Sequence, residues 1–161
     1  MKTLPPEEYY ASLPTKVIGS SLLIRNDKNE ILLVKPTYRK EHLFPGGTVE
    51  KEESLTACAE RETKEELGID IKSGRLLALG YKKNVGIKPE MIQCIFDGGI
   101  ITDEIIATIK TRKDEIDRYE FKAISEAIKL LSPERAYRTE KAFEALADGT
   151  TAYLEDGVLI K

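Results

Sequence analysis

The chain has 161 residues, 41% apolar and 33% charged, with a net charge of −3 and a pI near 5.4. That composition suits one domain with a proper core over residues 1–161 and excludes the disordered and fibrous classes. Lysines and arginines fall singly or in pairs, so no basic stripe marks nucleic acid as the main partner, and no run approaches the roughly 20 apolar residues a membrane helix needs.

The first fifteen residues, MKTLPPEEYYASLPT, carry prolines and acids where a secretory leader would be apolar. They read as an N-terminal extension of a cytoplasmic protein. VIGSSLLIR (17–25) and EILLVK (30–35) are rich in β-branched residues and leucine, and the intervening NDKN makes them a hairpin. PTYRKEHLFPGG (36–47) is loop. Ser54 is placed to cap a helix over residues 55–67, and Gly68 to stop it.

RLLALGYK (75–82) and MIQCIFDGGII (91–101) read as strands joined by a loop, and DEIIATIK (103–110) as a short helix. A strand is expected around 119–123 and a helix from Ser125 to about Ser132–Pro133. Residues 133–161 then give an amphipathic helix, with Ala136, Ala142, Phe143, Leu146 and Ala147 on its apolar side, and a hairpin turning at Asp156–Gly157. Strands with segregated helices indicate an α+β or layered α/β/α domain. Cys58 and Cys94 stand in no metal-ligand spacing and read as reduced core residues.

The segment LFPGGTVEKEESLTACAERETKEELGID (43–70) carries the chemistry. On a wheel advancing about 100° per residue, Glu62 and Glu66 fall within about 20° of Leu55, between Cys58 and Ala59 on the side a helix buries. Glu65 lies at its margin, and Lys64 lies opposite. Spaced i, i+3, i+4, the three glutamates converge and repel each other unless something compensates them. Arg61, four residues before Glu65, offsets one. The rest call for a cation, and all-oxygen ligands suit Mg²⁺ or Mn²⁺ rather than zinc. The other reading of these residues is a charged, solvent-facing helix with ordinary ion pairs.

Gly47, five residues, Glu53, seven residues, then Arg61-Glu62-Thr63-Lys64-Glu65-Glu66-Leu67-Gly68-Ile69 resembles the signature of the Nudix hydrolases, with Thr63 at an apolar position as the one departure. YYASLP, LLVKPTYR, FDGG and AYLEDG extend the resemblance towards a bacterial subgroup of the family. His42 stands where many members carry an aromatic residue, and it reads as a rim residue.

The resemblance implies an α/β fold, a three-layer α/β/α sandwich around a mixed sheet, with residues 47–69 as the Nudix box. It also implies Mg²⁺-dependent hydrolysis of a nucleoside diphosphate linked to another moiety. Glu62 and Glu66 would be metal ligands and Glu65 a ligand or general base, with the Gly46 or Gly47 carbonyl and Glu53 as further ligands. Arg61 would orient the carboxylates. Among the later acids Asp114, Glu115, Asp117 and Glu120, ahead of the strand segment YEFKAI, Glu115 is the candidate base. Lys35, Tyr38 and Arg39 are the candidates for binding substrate.

Positions 84–86 are Asn-Val-Gly, without the markers of ADP-ribose or dinucleoside polyphosphate members. An NTP, a nucleotide sugar and a dinucleotide therefore all stay open. Non-catalytic ligand-binding members usually have a damaged box, whereas this one is intact. A homodimer is common in the family, and nothing in the sequence fixes it.

Overall fold

A computed structural model describes residues 4–160 and gives α1 (Pro6–Ala11), β1 (Val17–Arg25), β2 (Ile31–Pro36), β3 (Gly46–Thr48), α2 (Leu55–Leu67), β4 (Leu76–Lys82), β5 (Met91–Ile100), α3 (Asp103–Ile106), β6 (Ile116–Lys122), α4 (Ile124–Leu130), α5 (Pro133–Asp148), β7 (Ala152–Glu155) and β8 (Val158–Leu159). The strands form one mixed sheet in the order β6–β2–β1–β5–β4–β7–β8, with β3 paired to β1 off that path. β1 runs parallel to β5 and β4 parallel to β7, and the other neighbours are antiparallel.

Alternation along the strands sets the layers. Leu22, Ile24, Leu32, Val34, Cys94 and Phe96 share one core with Ala59 and Leu67 of α2. Leu23, Ile31, Leu33 and Ile95, one residue out of step, share the other with Ala127 of α4 and Ala142 and Ala145 of α5. Each fully buried Leu or Ile contributes about 1.5–3 kcal/mol. With both faces covered, the central strands read as continuous apolar runs. The α/β/α sandwich is the fold expected from the sequence. No helix among the described residues is long and apolar enough to cross a membrane.

α2 begins and ends as its sequence dictates. The Ser54 side chain accepts a hydrogen bond from the Ala57 N–H, and Gly68 closes the helix at φ 72°. Other boundaries move. β6 starts at Ile116 rather than near Tyr119, because Ile116 to Lys122 pair with Pro36 to Ile31, with a register shift between Lys35 and Pro36. Asp117 therefore lies within the strand, not ahead of it, as Glu120 does too. Gly46–Thr48, read as loop, pairs with Gly19–Ser21 as β3. The N-terminal extension contains α1, with proline in its first turn and no buried residue.

Candidate active site

The carboxylates of the box gather on one guanidinium. Arg61 Nε donates to Glu53 Oε1 at 2.8 Å and Nη2 to Glu53 Oε2 at 3.1 Å, a two-point grip. Its Nη1 reaches Glu62 Oε1 at 3.0 Å and Glu65 Oε1 at 3.4 Å. The Glu50 N–H also donates to Glu53, at 2.9 Å. The Arg61 bonds come first among the causes that hold the Glu53 carboxyl down to about 2.

Glu66 is the outlier. It is 4% exposed, and Oε2 accepts one hydrogen bond, from the Gly46 N–H at 3.1 Å. Burial pushes its carboxyl up to about 8; the Gly46 bond opposes this, and the charges of Glu62, Glu115 and Glu65 add to it. Glu62 is raised too, by burial first and against the pull of Arg61.

Gly46 and Gly47 are required where they stand. Gly46 has φ 148°, and a Cβ there would sit 2.3 Å from the Ser20 carbonyl oxygen. A Cβ on Gly47 would lie 2.2 Å from Glu62 Oε1, so the bare backbone admits that carboxylate. The Gly47 carbonyl is 3.7 Å from Cys58 Sγ and so faces α2. Cys58 and Cys94 are free and buried, as expected.

The end of α2 brings in Glu115. A helix leaves its last carbonyls unpaired, and here the Arg112 N–H donates to the Glu66 carbonyl at 3.0 Å and the Lys110 N–H to the Leu67 carbonyl at 2.9 Å. The docked loop sets Glu115 where its charge acts on both Glu62 and Glu66. Arg112 Nη1 stands 3.6 Å from Glu115 Oε2. The other late acids are held elsewhere. Asp114 pairs with Arg112 and Asp117 with Arg118. Glu120 lies between Lys122, His42 and Arg118, which bring it down to about 2.

His42 is not a rim residue. It is 4% exposed, with Nε2 at 3.1 Å from Glu120 Oε1 and its N–H bonded to the Leu130 carbonyl. The Lys35 ammonium donates to the carbonyls of Pro36 and Arg39, so it organises its own loop. Tyr38 lies between two regions. It lines a cavity of about 220 Å³, and its phenol is raised by burial first and, against Arg39, by Glu115, Glu66 and Glu62. Arg39 packs 5.8 Å from the Tyr38 ring centroid, with Nε buried and unpartnered.

Gly46, Gly47, Ser21 and Gln93 line the same cavity with Arg135, Arg138 and Thr139 of α5. The α5 residues were missed in the sequence. Arg138 sits four residues before Ala142 and seven before Ala145, on the buried side of α5, whereas Arg135, seven residues before Ala142, falls about 20° from it on a wheel, inside the apolar side read from the sequence.

A sheet between two helical layers carries a glycine turn and a glutamate-bearing helix on one face, in the order loop–helix–loop. The family model described as NUDIX domain matches residues 15–145, and the chain belongs to the Nudix family of hydrolases. It is thus a pyrophosphohydrolase by class.

Among solved structures it is similar to the MutT protein of Methanosarcina mazei Go1, with 26% identity over 86% of this chain and 98% of that one, at a TM-score of 0.66. A UDP-X diphosphatase is 21% identical over 94% and 76% of the two chains, at a TM-score of 0.70. A C. elegans Ap4A hydrolase is 22% identical over 83% and 98%, at 0.62. The last two likenesses show the fold. Comparison with curated proteins finds no match.

Proposed function

We propose that the chain hydrolyses the diphosphate bond of a nucleoside diphosphate linked to another moiety, with Mg²⁺ or Mn²⁺ held by Glu62, Glu65 and Glu66 and aided by Glu53 and the Gly47 carbonyl. The observation that carries this is Glu66, a nearly buried carboxyl among like charges with one hydrogen-bond donor. Such a group is costly unless a cation joins it.

The donor set fits a hard divalent ion. It is all oxygen, and among the described residues the ion pairs of the five carboxylates Glu53, Glu62, Glu65, Glu66 and Glu115 are those with Arg61 and Arg112. Among the described residues no three possible ligands surround one point, because the oxygens of Glu53, Glu62 and Glu65 are drawn onto Arg61.

Bound there, the metal supplies charge neutralisation at the diphosphate and a water of lowered pKa. Arg61 holds Glu53 and Glu62 in orientation. Gly46 and Gly47 keep the backbone close to the carboxylates without side chains in the way. Glu115 accepts the proton of the attacking water as its oxygen bonds to phosphorus and the bridging P–O bond breaks; Glu65 is the other group placed for that task. Tyr38 and Arg39 flank the substrate. NTPs, ADP-ribose, other nucleotide sugars and dinucleotides are the substrate candidates, and the free, buried cysteines suit action in the reducing cytoplasm.

The test is product analysis by chromatography after incubating the chain and Mg²⁺ with that panel, with Glu66→Gln as control. Metal-dependent cleavage lost in the variant is expected. Ligand binding without turnover across the panel would replace the hydrolase with a nucleotide-sugar-binding domain.

A further inference from the structure

The cavity beside the box holds buried polar groups that the proposed hydrolysis does not use. Arg138 is 7% exposed, and its Nε has no hydrogen-bond partner. Its one ion pair among the described residues, from Nη1 to Glu134 Oε1, is 3.8 Å long, beyond hydrogen-bonding range. The other Glu134 oxygen is taken by Lys82.

Thr139 Oγ1 is buried and unpartnered too, with the residue 1% exposed, although a helical threonine ordinarily bonds the carbonyl four residues back. Arg135, the third α5 residue in the wall, makes a single side-chain bond among the described residues, a long one of 3.4 Å from Nη1 to Ser132 Oγ. The charge of Arg39 acts on Arg135, and that of Arg135 on Arg138.

A guanidinium offers five donors in a planar fork, and leaving them unmet in a buried site is expensive. The sheet makes room for this one. A Cβ on Gly80 of β4 would stand 3.2 Å from both Cδ and Nη1 of Arg138. Packing alone gives no reason for the charge, since an apolar side chain of that length would fill the space without desolvating an ion. Arg138 Nε and Thr139 Oγ1 have no partner, and the open side of the wall is the cavity.

We propose that the cavity seats a second anionic group of the substrate, a phosphomonoester or carboxylate apart from the scissile diphosphate, gripped by Arg135, Arg138 and the Thr139 hydroxyl. The proposal rests on the reading that the scissile diphosphate lies at the glutamates, on the far side of the Gly46–Gly47 turn. It narrows the substrate class to acidic conjugates: a nucleotide joined to an acidic sugar, or one carrying a phosphate apart from the diphosphate.

The test uses two ligand pairs that differ by one anionic group, NADPH against NADH and UDP-glucuronate against UDP-glucose. Each is titrated calorimetrically into the whole chain, in EDTA and again with Mg²⁺ in the Glu66→Gln background. The anionic member of one pair binds about tenfold or more tightly than its counterpart, and the responding pair tells phosphate from carboxylate. In Arg135→Gln and in Thr139→Val, which is isosteric, the gain shrinks to about twofold or less. Arg138→Lys, which keeps the charge but loses the fork, loses most of it, and circular dichroism checks that each variant is folded.

Equal affinity within both pairs, no binding of either anionic member, or a gain that survives both Arg135→Gln and Thr139→Val would overturn the proposal. Affinity is read without turnover, so failed hydrolysis with the gain intact would sink only the hydrolase reading. Hydrolysis without the gain would sink only this one.

Discussion

Replacing Glu66 with glutamine removes a charge and little else, because the amide oxygen can still accept the Gly46 N–H. In metal-free protein the carboxyl titrates at about 8, against an ordinary 4.5, and burial is the largest cause. The folded chain thus binds this proton more tightly than the unfolded one. The stabilisation is complete below pH 4.5 and is lost as pH rises towards 8. At about 1.36 kcal/mol per unit, the wild type gives up about 3 kcal/mol by about pH 7 and about 5 kcal/mol above about pH 8, whereas glutamine gives up nothing.

Urea denaturation in EDTA, followed by circular dichroism, reads the difference. Wild type and Glu66→Gln should agree within about 1 kcal/mol near pH 5 and diverge in favour of the variant by about 3 kcal/mol at pH 7. Mg²⁺ should then stabilise the wild type and leave the variant unmoved. A gap that does not change with pH would refute the reasoning. So would a variant less stable than wild type in alkali, which would make Glu66 a member of a structural ion pair.

Gly47→Ala forces the Glu62 carboxylate off a Cβ otherwise 2.2 Å away. A displacement of roughly 1 Å should lower kcat/KM about 100-fold, with melting followed alongside to show that the fold survives. Arg61→Lys cannot reproduce the fork on Glu53, and thermal scans in EDTA should show about 1–3 kcal/mol less stability. An unchanged melt would mean that Arg61 is dispensable to the cluster. Glu115→Gln should cut kcat by about 100-fold or more with KM unchanged. The backbone bonds that dock its loop are untouched by the change, so unaltered kinetics would move the proton transfer to Glu65.

What was legible followed short-range rules. α2, its two caps and the inward glutamates come from a period and two end signals within fifteen consecutive residues, and the strands from apolar runs. β3 was hidden because its reason for pairing lies on β1, more than twenty residues earlier. α1 buries nothing and so leaves no apolar period to read. His42 looked peripheral because Glu120, its partner, is 78 residues away in sequence. Glu115 could be named but not located, since the α2 carbonyls that fix its loop advertise nothing in a sequence. Arg138 is the instructive omission. On a wheel it lies about 40° outside the arc of Ala136, Ala142, Phe143, Leu146 and Ala147, so its burial against Gly80 of β4 is a tertiary fact and not a period in the sequence.

The Gly46–Gly47 turn works as a party wall. It touches Glu62 and Glu66 on one side and borders the cavity on the other, and neither residue can accept even a methyl group. Any redesign of substrate choice must therefore leave this wall alone and rebuild the opposite side of the chamber, on α5 and β5. The tenant can be changed there without disturbing the machinery next door.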